Sequence, residues 1–208
     1  MSRRTLWIGT YPVAGQGSPT GQGEGIWRAV LDTRTGELSE VEQASVTPSP
    51  SYLAWGAGDL LYAVNEELHG GLTVLRRRGR RLEPAGHSGT GGSHPCHLHL
   101  HRQSGTLLAA NYTSGSVAVI RLDPDGLPLA DDPHQVIRFE GSGPNPARQE
   151  GSHAHYLLPA DDSRMLVSDL GGDCLRKLAP DRAGGFRDDG VAVRLPAGSG
   201  PRHAVFSA

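Results

Sequence analysis

The residues able to do chemistry are histidines, arginines, carboxylates and amides at the ends of short apolar segments. Such a set supplies acid–base groups and guanidinium forks for an anion, but it includes no Ser, Thr or Cys in a nucleophile-elbow sequence. It therefore favours activation of water and stabilisation of an oxyanion over a covalent intermediate. The candidate residues are Asn65, Glu66, His97, Asn111, Tyr112, Arg148, Gln149, His153, His155, Asp169, Arg202 and His203.

Each candidate also has a purely structural interpretation. A histidine at the end of a strand often hydrogen-bonds to neighbouring backbone, and asparagine or aspartate after a strand commonly forms a turn. Arg202 could form an ion pair between adjacent sheets. A functional role for these residues depends on their lying close together, which only the surrounding elements can bring about.

Those surrounding elements repeat along the chain. One element occurs four times, as PSYLAW (50–55), PCHLHL (95–100), HAHYLL (153–158) and PRHAVF (201–206). Its copies place in register Tyr52, His97, His155 and His203. A second element, as in LLYAVNE, follows the first and aligns Asn65, Asn111 and Asp169. A repeat of this length must be interpreted before any single element is assigned.

The repeated elements are short, rich in Val, Leu, Ile or Tyr, and bounded by Gly, Asp or Pro, which is typical of β-strands. Four antiparallel strands recurring roughly every 45–50 residues indicate an all-β propeller of four-stranded antiparallel blades. The alternative is a β-sandwich, but its strands would not repeat in blocks of four. Innermost strands of a propeller surround one axis, so equivalent strand ends would bring the candidate residues together.

We expect one domain over residues 1–208, with blades at approximately 5–46, 50–88, 95–140 and 153–195. Residues 201–208 would either begin a further blade or close the ring by pairing with 6–11. Because the chain stops two residues after the last aromatic residue, the first alternative is favoured, and the domain is expected to be an incomplete propeller of about four blades.

Composition excludes several classes of protein. The net charge is −2, with 20 Lys and Arg against 22 Asp and Glu, so we expect no binding to nucleic acid or to a membrane surface. The start of the chain has no apolar run of the roughly 7–15 residues that a signal peptide needs. Two cysteines, Cys96 and Cys174, cannot form a disulfide scaffold. A cytoplasmic location is therefore predicted. The sequence makes no prediction about the oligomeric state.

The run SHPCHLHLHR raises the question of a metal site, because His97, His99 and His101 would share one face of a strand. Five residues of strand extend over about 13 Å, however, so the three imidazoles could not all reach one ion. At most two could, with a further ligand from elsewhere. We therefore predict no metal and no other cofactor.

Eight motifs in order resemble the lactonase family of seven-bladed propellers, which includes propeller-type 6-phosphogluconolactonases and a carboxy-muconate cyclase. The resemblance extends over about 5–208. The motifs are IGTY, PSYLAW, LYAVNE, GSHPCHLHL, LLAANYTSGSVAV, RQEGSHAHYLL, VSDLGGD and GSGPRHAVF. The resemblance implies about seven blades, of which about four are present, and hydrolysis or formation of a lactone ring on an anionic substrate.

Carried over to this sequence, the family's HxH pair falls on His153 and His155 and its PRH arginine on Arg202. We expect His155, Arg202 and His203 to be catalytic and the remaining candidates to bind substrate. The family's RQ pair falls on Arg148 and Gln149. The expected activity is hydrolysis of a sugar-acid lactone, 6-phosphogluconolactonase-like and belonging to the pentose phosphate pathway. Arg148 and Arg202 would hold the anion, His155 would accept a proton from water, and Arg202 would stabilise the oxyanion.

Two other functions stay open at this point. The first is a metal-dependent lactonase with Glu66, Asn111 and Asp169 as oxygen ligands, which a chelator would inactivate. The second is a propeller without catalytic activity that docks partners on its rim. Few aromatic residues are available for such docking, because the chain has three Trp, five Tyr and three Phe.

Overall fold

The computed structural model describes residues 2–11 and 25–207, and within them all regular structure is β-strand. The residues 12–24 of the first predicted blade lie outside this description. The strands are β1 (Arg3–Ile8), β2 (Ile26–Asp32), β3 (Leu38–Ser45), β4 (Leu53–Trp55), β5 (Leu60–Asn65), β6 (Gly71–Arg78), β7 (Arg81–Gly89), β8 (Pro95–His101), β9 (Thr106–Asn111), β10 (Ser116–Arg121), β11 (Gln135–Arg138), β12 (Ala154–Pro159), β13 (Met165–Asp169), β14 (Cys174–Pro180) and β15 (Phe186–Arg194).

The strands form four antiparallel sheets in which sequence neighbours pair, as in the blades of a propeller. Blade 1 (β1–β3) has three strands, and blade 2 (β4–β7), blade 3 (β8–β11) and blade 4 (β12–β15) have four each. The predicted all-β propeller with about four blades is confirmed. Residues 201–207 form no strand, and among the described strands β1 pairs with β2 only, so a further blade at this end stays a prediction.

Apolar side chains between successive blades form the core. Each of three buried clusters joins two neighbours, for example Tyr62 and Val74 of blade 2 with Leu98 and Leu107 of blade 3. Strands inside the stack are therefore covered on both faces, and β5 and β9 are buried at every residue. Two covered faces explain why these strands are continuous apolar runs rather than alternating patterns.

A β-bulge changes the register near the start of two inner strands. His97 pairs with Ala110, and the equivalent partner in blade 4, Ser168, pairs with Tyr156 rather than with His155. The sequence alignment of His155 with His97 was therefore wrong by one residue. The bulge inserts an unpaired residue, which a count of sequence spacing does not reveal.

Aromatic rings at the corrected positions contact one another from blade to blade. The His97 ring lies 4.3 Å from Tyr52 and 4.2 Å from Tyr156, and the Tyr156 ring lies 5.3 Å from His203. Burial is the main reason that the pKa of His97 falls to about 3, so its ring packs as a neutral aromatic group. Inner segments of successive repeats are thus adjacent, including the segment that carries His203.

The backbone at Gly171 predicts a stability difference between two glycines that face each other. A Cβ at Gly171 would overlap the carbonyl oxygen of Gly151, whereas a Cβ at Gly151 would meet no atom within 4 Å. We expect Gly171→Ala to lower the free energy of unfolding by about 1–3 kcal/mol, as overpacking does. Gly151→Ala should change it by less than about 0.5 kcal/mol. Chemical denaturation of both variants tests this, and equal stabilities would show that the contact is not tight.

Candidate active site

A cavity of about 570 Å³ lies where inner strands β8 and β12 begin and strands β5 and β9 end. Two sets of equivalent positions form much of its wall. One is the position just before the stacked ring of each inner segment, occupied in successive repeats by Ser51, Cys96, His155 and Arg202, and it is a β-bulge in β8 and β12. The other is the position after the second strand. The full lining is Tyr11, Ser51, Tyr52, Glu66, His94, Cys96, Tyr112, Thr113, Arg148, His155, Arg202 and His203.

The centre of the wall is a hydrogen bond between Arg202 and His155. The Nε of Arg202 donates to Nε2 of His155 at 3.0 Å. His155 is 9% exposed, and burial, followed by the charge of Arg202, lowers its pKa to about 4. The imidazole is therefore neutral at pH 7, with its proton on Nδ1, a buried atom with no hydrogen-bond partner among the described residues.

This hydrogen bond differs from the arrangement expected from the sequence. A base that takes a proton from water needs an unoccupied lone pair on its acceptor nitrogen. In this geometry the Nε2 lone pair of His155 already accepts the N–H of Arg202. The same hydrogen bond aligns the guanidinium of Arg202 through its Nε. The two terminal nitrogens of Arg202 are left for other partners.

A carboxylate forms a second polar part of the wall. Tyr11 donates its hydroxyl proton to Glu66 Oε2 at 2.6 Å, and Ser51 donates to the same oxygen. Burial and the adjacent Glu66 raise the pKa of Tyr11. Burial also raises the pKa of the Cys96 thiol, on which Glu66 and Arg202 act in opposite directions. Cys96 is therefore a neutral thiol rather than a nucleophilic thiolate.

Arg148 is held at the exposed rim of the cavity by an aromatic support. Its Nη2 donates to the hydroxyl oxygen of Tyr112 at 3.1 Å. The Tyr112 ring stacks on His153 with centroids 4.6 Å apart and an angle of 15° between planes. The edge of the same ring meets His155 at 5.7 Å. Two guanidinium groups and a neutral imidazole therefore surround one cavity, an arrangement that can bind an anion and stabilise an oxyanion.

Comparison with known proteins agrees with this geometry. A family model described as a lactonase with a seven-bladed β-propeller matches residues 5–208. The chain belongs to this lactonase family. The resemblance drawn from the eight motifs is thereby confirmed.

Relatives within the family include proteins with named activities. The 6-phosphogluconolactonase of Bacillus subtilis is 30% identical over 99% of this chain and 57% of its own length. The protein of that name from Formosa agariphila is 26% identical over 88% of this chain and 54% of its own. The structure of the periplasmic gluconolactonase of Pseudomonas aeruginosa superposes with a TM-score of 0.87 at 30% identity, covering 100% of this chain and 59% of that one. This chain thus spans somewhat over half of the length of these relatives.

Six of the predicted site residues do not line this cavity. Each has at least one polar atom hydrogen-bonded to another part of the protein: Asn65 donates to the carbonyl of Pro48 at 2.7 Å, and Asp169 accepts from Arg176 Nε at 2.7 Å. They are buried in the interior of the protein. These residues are Asn65, His97, Asn111, Gln149, His153 and Asp169.

The cavity also contains residues that the sequence analysis missed as site residues. Tyr11 ends IGTY as Glu66 ends AVNE, so the sequence carries a signal for it. Ser51 and Cys96 occupy the position equivalent to His155, and the register error hid that relation. His94 and Thr113, which hydrogen-bond to each other at 2.8 Å, had no such signal.

The possible metal ligands do not converge. Within residues 2–11 and 25–207, no group of three or more His, Cys, Asp and Glu side chains is arranged to hold a metal ion. His101 instead contacts Ser104 and the backbone oxygen of Asp162.

Where the structure describes the chain, it also contains no helix long and apolar enough to cross a membrane.

The contact between Arg202 and His155 can be measured in solution. Arg202→Met removes a positive charge and a hydrogen bond, both of which favour the neutral imidazole, while much of the burial remains. We expect the pKa of His155, measured by NMR titration, to rise from about 4 toward its ordinary value of 6.5.

Arg148→Met is the matched control, because the charge of Arg148 acts on His155 more weakly than the charge of Arg202 does. It should raise the pKa of His155 by less than Arg202→Met does. If the two substitutions raised the pKa of His155 equally, the close contact with Arg202 would contribute no more to the lowered pKa than the more weakly acting Arg148 does.

Proposed function

We propose that this chain hydrolyses the lactone of an anionic sugar acid, with 6-phosphogluconolactone as the preferred type of substrate. The observation that carries the proposal is the Arg202–His155 pair, which lies in one cavity with Arg148 and Glu66. The names of the Bacillus and Formosa relatives support the choice of substrate. A place in the pentose phosphate pathway and a cytoplasmic location belong to the same proposal.

Substrate binding is assigned to both polar parts of the wall. The exposed guanidinium of Arg148 meets the phosphate or carboxylate first, because its fork fits planar or tetrahedral oxyanions. Glu66, with Tyr11 and Ser51 beside it, offers acceptors and hydroxyl groups that suit the hydroxyl groups of a sugar. The substrate thus lies with its anion at the rim and its polyol near Glu66.

The chemical step is attack of water on the ring carbonyl, which opens the ester and yields the free acid. Negative charge develops on the carbonyl oxygen, and the terminal nitrogens of Arg202 stabilise it. His155 accepts the proton of the attacking water once Arg202 has moved its Nε–H from Nε2 to the substrate. The imidazolium then returns this proton to the ring oxygen as the C–O bond breaks, so the product carries a free hydroxyl group. Binding of the anion also offsets the charge of Arg202, which makes the neutral His155 a stronger base. His203, whose ring lies 5.1 Å from His155, completes the proposed catalytic group.

The proposal predicts the effect of two substitutions on turnover. His155→Ala and Arg202→Ala should each lower kcat for 6-phosphogluconolactone at least tenfold, because loss of one oxyanion donor typically costs about 2.7–4 kcal/mol of barrier. Acid release at neutral pH, followed with an indicator and corrected for spontaneous hydrolysis, measures the rate. Arg148→Ala should mainly raise KM, and more for the phosphorylated than for the unphosphorylated lactone.

Arg182→Ala is the control for loss of an exposed arginine, because Arg182 lies in the turn before β15 and outside the cavity. Its rate should equal that of the unsubstituted chain. Absence of turnover in the unsubstituted chain, or unchanged rates in both His155→Ala and Arg202→Ala, would contradict the proposal.

A further inference from the structure

Arg202 belongs to a segment that no sheet holds in place. Residues 195–203 follow β15 and form no strand, so backbone pairing does not determine where the guanidinium lies. The hydrogen bond from Arg202 to His155 nevertheless needs a defined position of the backbone at 200–202. Another group must fix this segment.

Asp173, in the turn between β13 and β14, contacts that segment at three points. Its Oδ2 accepts the N–H of Gly198 at 2.7 Å, and its Oδ1 accepts the N–H of Gly200 at 2.8 Å. Its backbone oxygen accepts the N–H of Leu195 at 2.8 Å. Asp173 is 7% exposed and has a φ of 48°, a conformation that costs energy in a residue other than glycine.

The carboxylate is itself anchored by a residue outside the segment. Gln149 Nε2 donates to Asp173 Oδ1 at 2.7 Å and to the backbone oxygen of Leu170 at 2.9 Å. Burial acts to raise the pKa of Asp173, but hydrogen bonds from Gly200, Gly198 and Gln149 together hold it below its ordinary value. The group is therefore an anion in the folded protein, with charge-assisted bonds to two backbone N–H groups.

Glycine at 198 and 200 makes this contact possible. Their φ values are 84° and 53°, in the left-handed region that other residues rarely adopt. With both residues in this conformation, the two N–H groups point at the same carboxylate, and the chain leads directly to Arg202. Gly198 is also the third residue of the turn Pro196–Ser199, in which the N–H of Ser199 donates to the carbonyl of Pro196 at 3.1 Å.

We propose that Asp173 is the positioning residue for Arg202, holding the 195–201 segment so that the guanidinium meets His155. This inference rests on the proposed function for its catalytic meaning, since Arg202 is the proposed oxyanion donor. Asp173 touches neither the substrate nor the reacting atoms and acts only through Arg202.

Asp173→Asn tests the proposal, because the amide has one acceptor oxygen in place of two and no charge. With Arg202 released, the pKa of His155, measured by NMR titration of the folded variant, should rise by at least one pH unit from about 4. A purely structural role would lower the free energy of unfolding without moving this pKa. A folded Asp173→Asn variant with the unsubstituted pKa of His155 would overturn the proposal.

Asp181→Asn is the matched control. The Oδ1 of Asp181 also accepts two backbone N–H groups, those of Ala183 at 2.8 Å and Gly185 at 2.7 Å, but in the β14–β15 turn outside the cavity. This variant should leave the pKa of His155 unchanged. An equal rise in both variants would mean that the effect is general, and it would overturn the specific role of Asp173.

Gly198→Ala provides a second variant that keeps Asp173 and perturbs only the exposed segment. It should also raise the pKa of His155. If Asp173→Asn does not fold, an unchanged pKa of His155 in Gly198→Ala overturns the proposal.

Turnover separates this inference from the proposed function: Asp173→Asn should lower kcat for 6-phosphogluconolactone at least tenfold. If the unsubstituted chain has no turnover, the proposed function fails, while the pKa measurement still decides the role of Asp173.

Discussion

Packing of the inner segments against one another determines which side chains meet in this propeller. Because the aromatic rings of successive repeats must contact around the axis, one residue of each segment is committed to that stack. The preceding residue faces the cavity, and in β8 and β12 it lies at a β-bulge. His155 and Tyr156 illustrate the division: the first contacts Arg202 in the cavity, and the second packs against His97. In these two strands the bulge thus supplies both a stacked ring and a residue of the cavity wall.

Sequence patterns were sufficient for the architecture, because a strand covered on both faces must be a continuous apolar run and blades repeat it at regular intervals. They were less informative about the site. Asn65 and Glu66 are adjacent and equally polar, yet Asn65 binds backbone inside the blade and Glu66 lines the cavity. The direction of a side chain in a turn depends on the local backbone, which residue types do not specify. The register error at His155 has the same origin, since a bulge leaves no mark on composition.

The protonation states in the cavity follow from placing a guanidinium, a carboxylate, an imidazole and a thiol in one partly buried space. Arg202 favours a neutral His155 both as a nearby cation and as a hydrogen-bond donor, and burial acts in the same direction. Glu66 acts on the thiol of Cys96 in the direction opposite to Arg202. In the free site the imidazole is therefore a weak base, and its Nε2 is occupied. Under the proposed function, an incoming anion changes both properties at once, because it competes for Arg202 and compensates its charge.

The two partners of the central hydrogen bond differ in how firmly the fold holds them. His155 lies in a strand and is buried, whereas Arg202 and Arg148 are exposed and belong to segments outside the sheets. Such an arrangement suits a site in which the imidazole must stay in place while the guanidinium changes partner. Rigid sheets cannot provide that freedom, and a segment with no anchor would lose the starting geometry. A single buried carboxylate at Asp173, bonded to the backbone two residues before Arg202, allows the side chain to reorient while its backbone stays fixed.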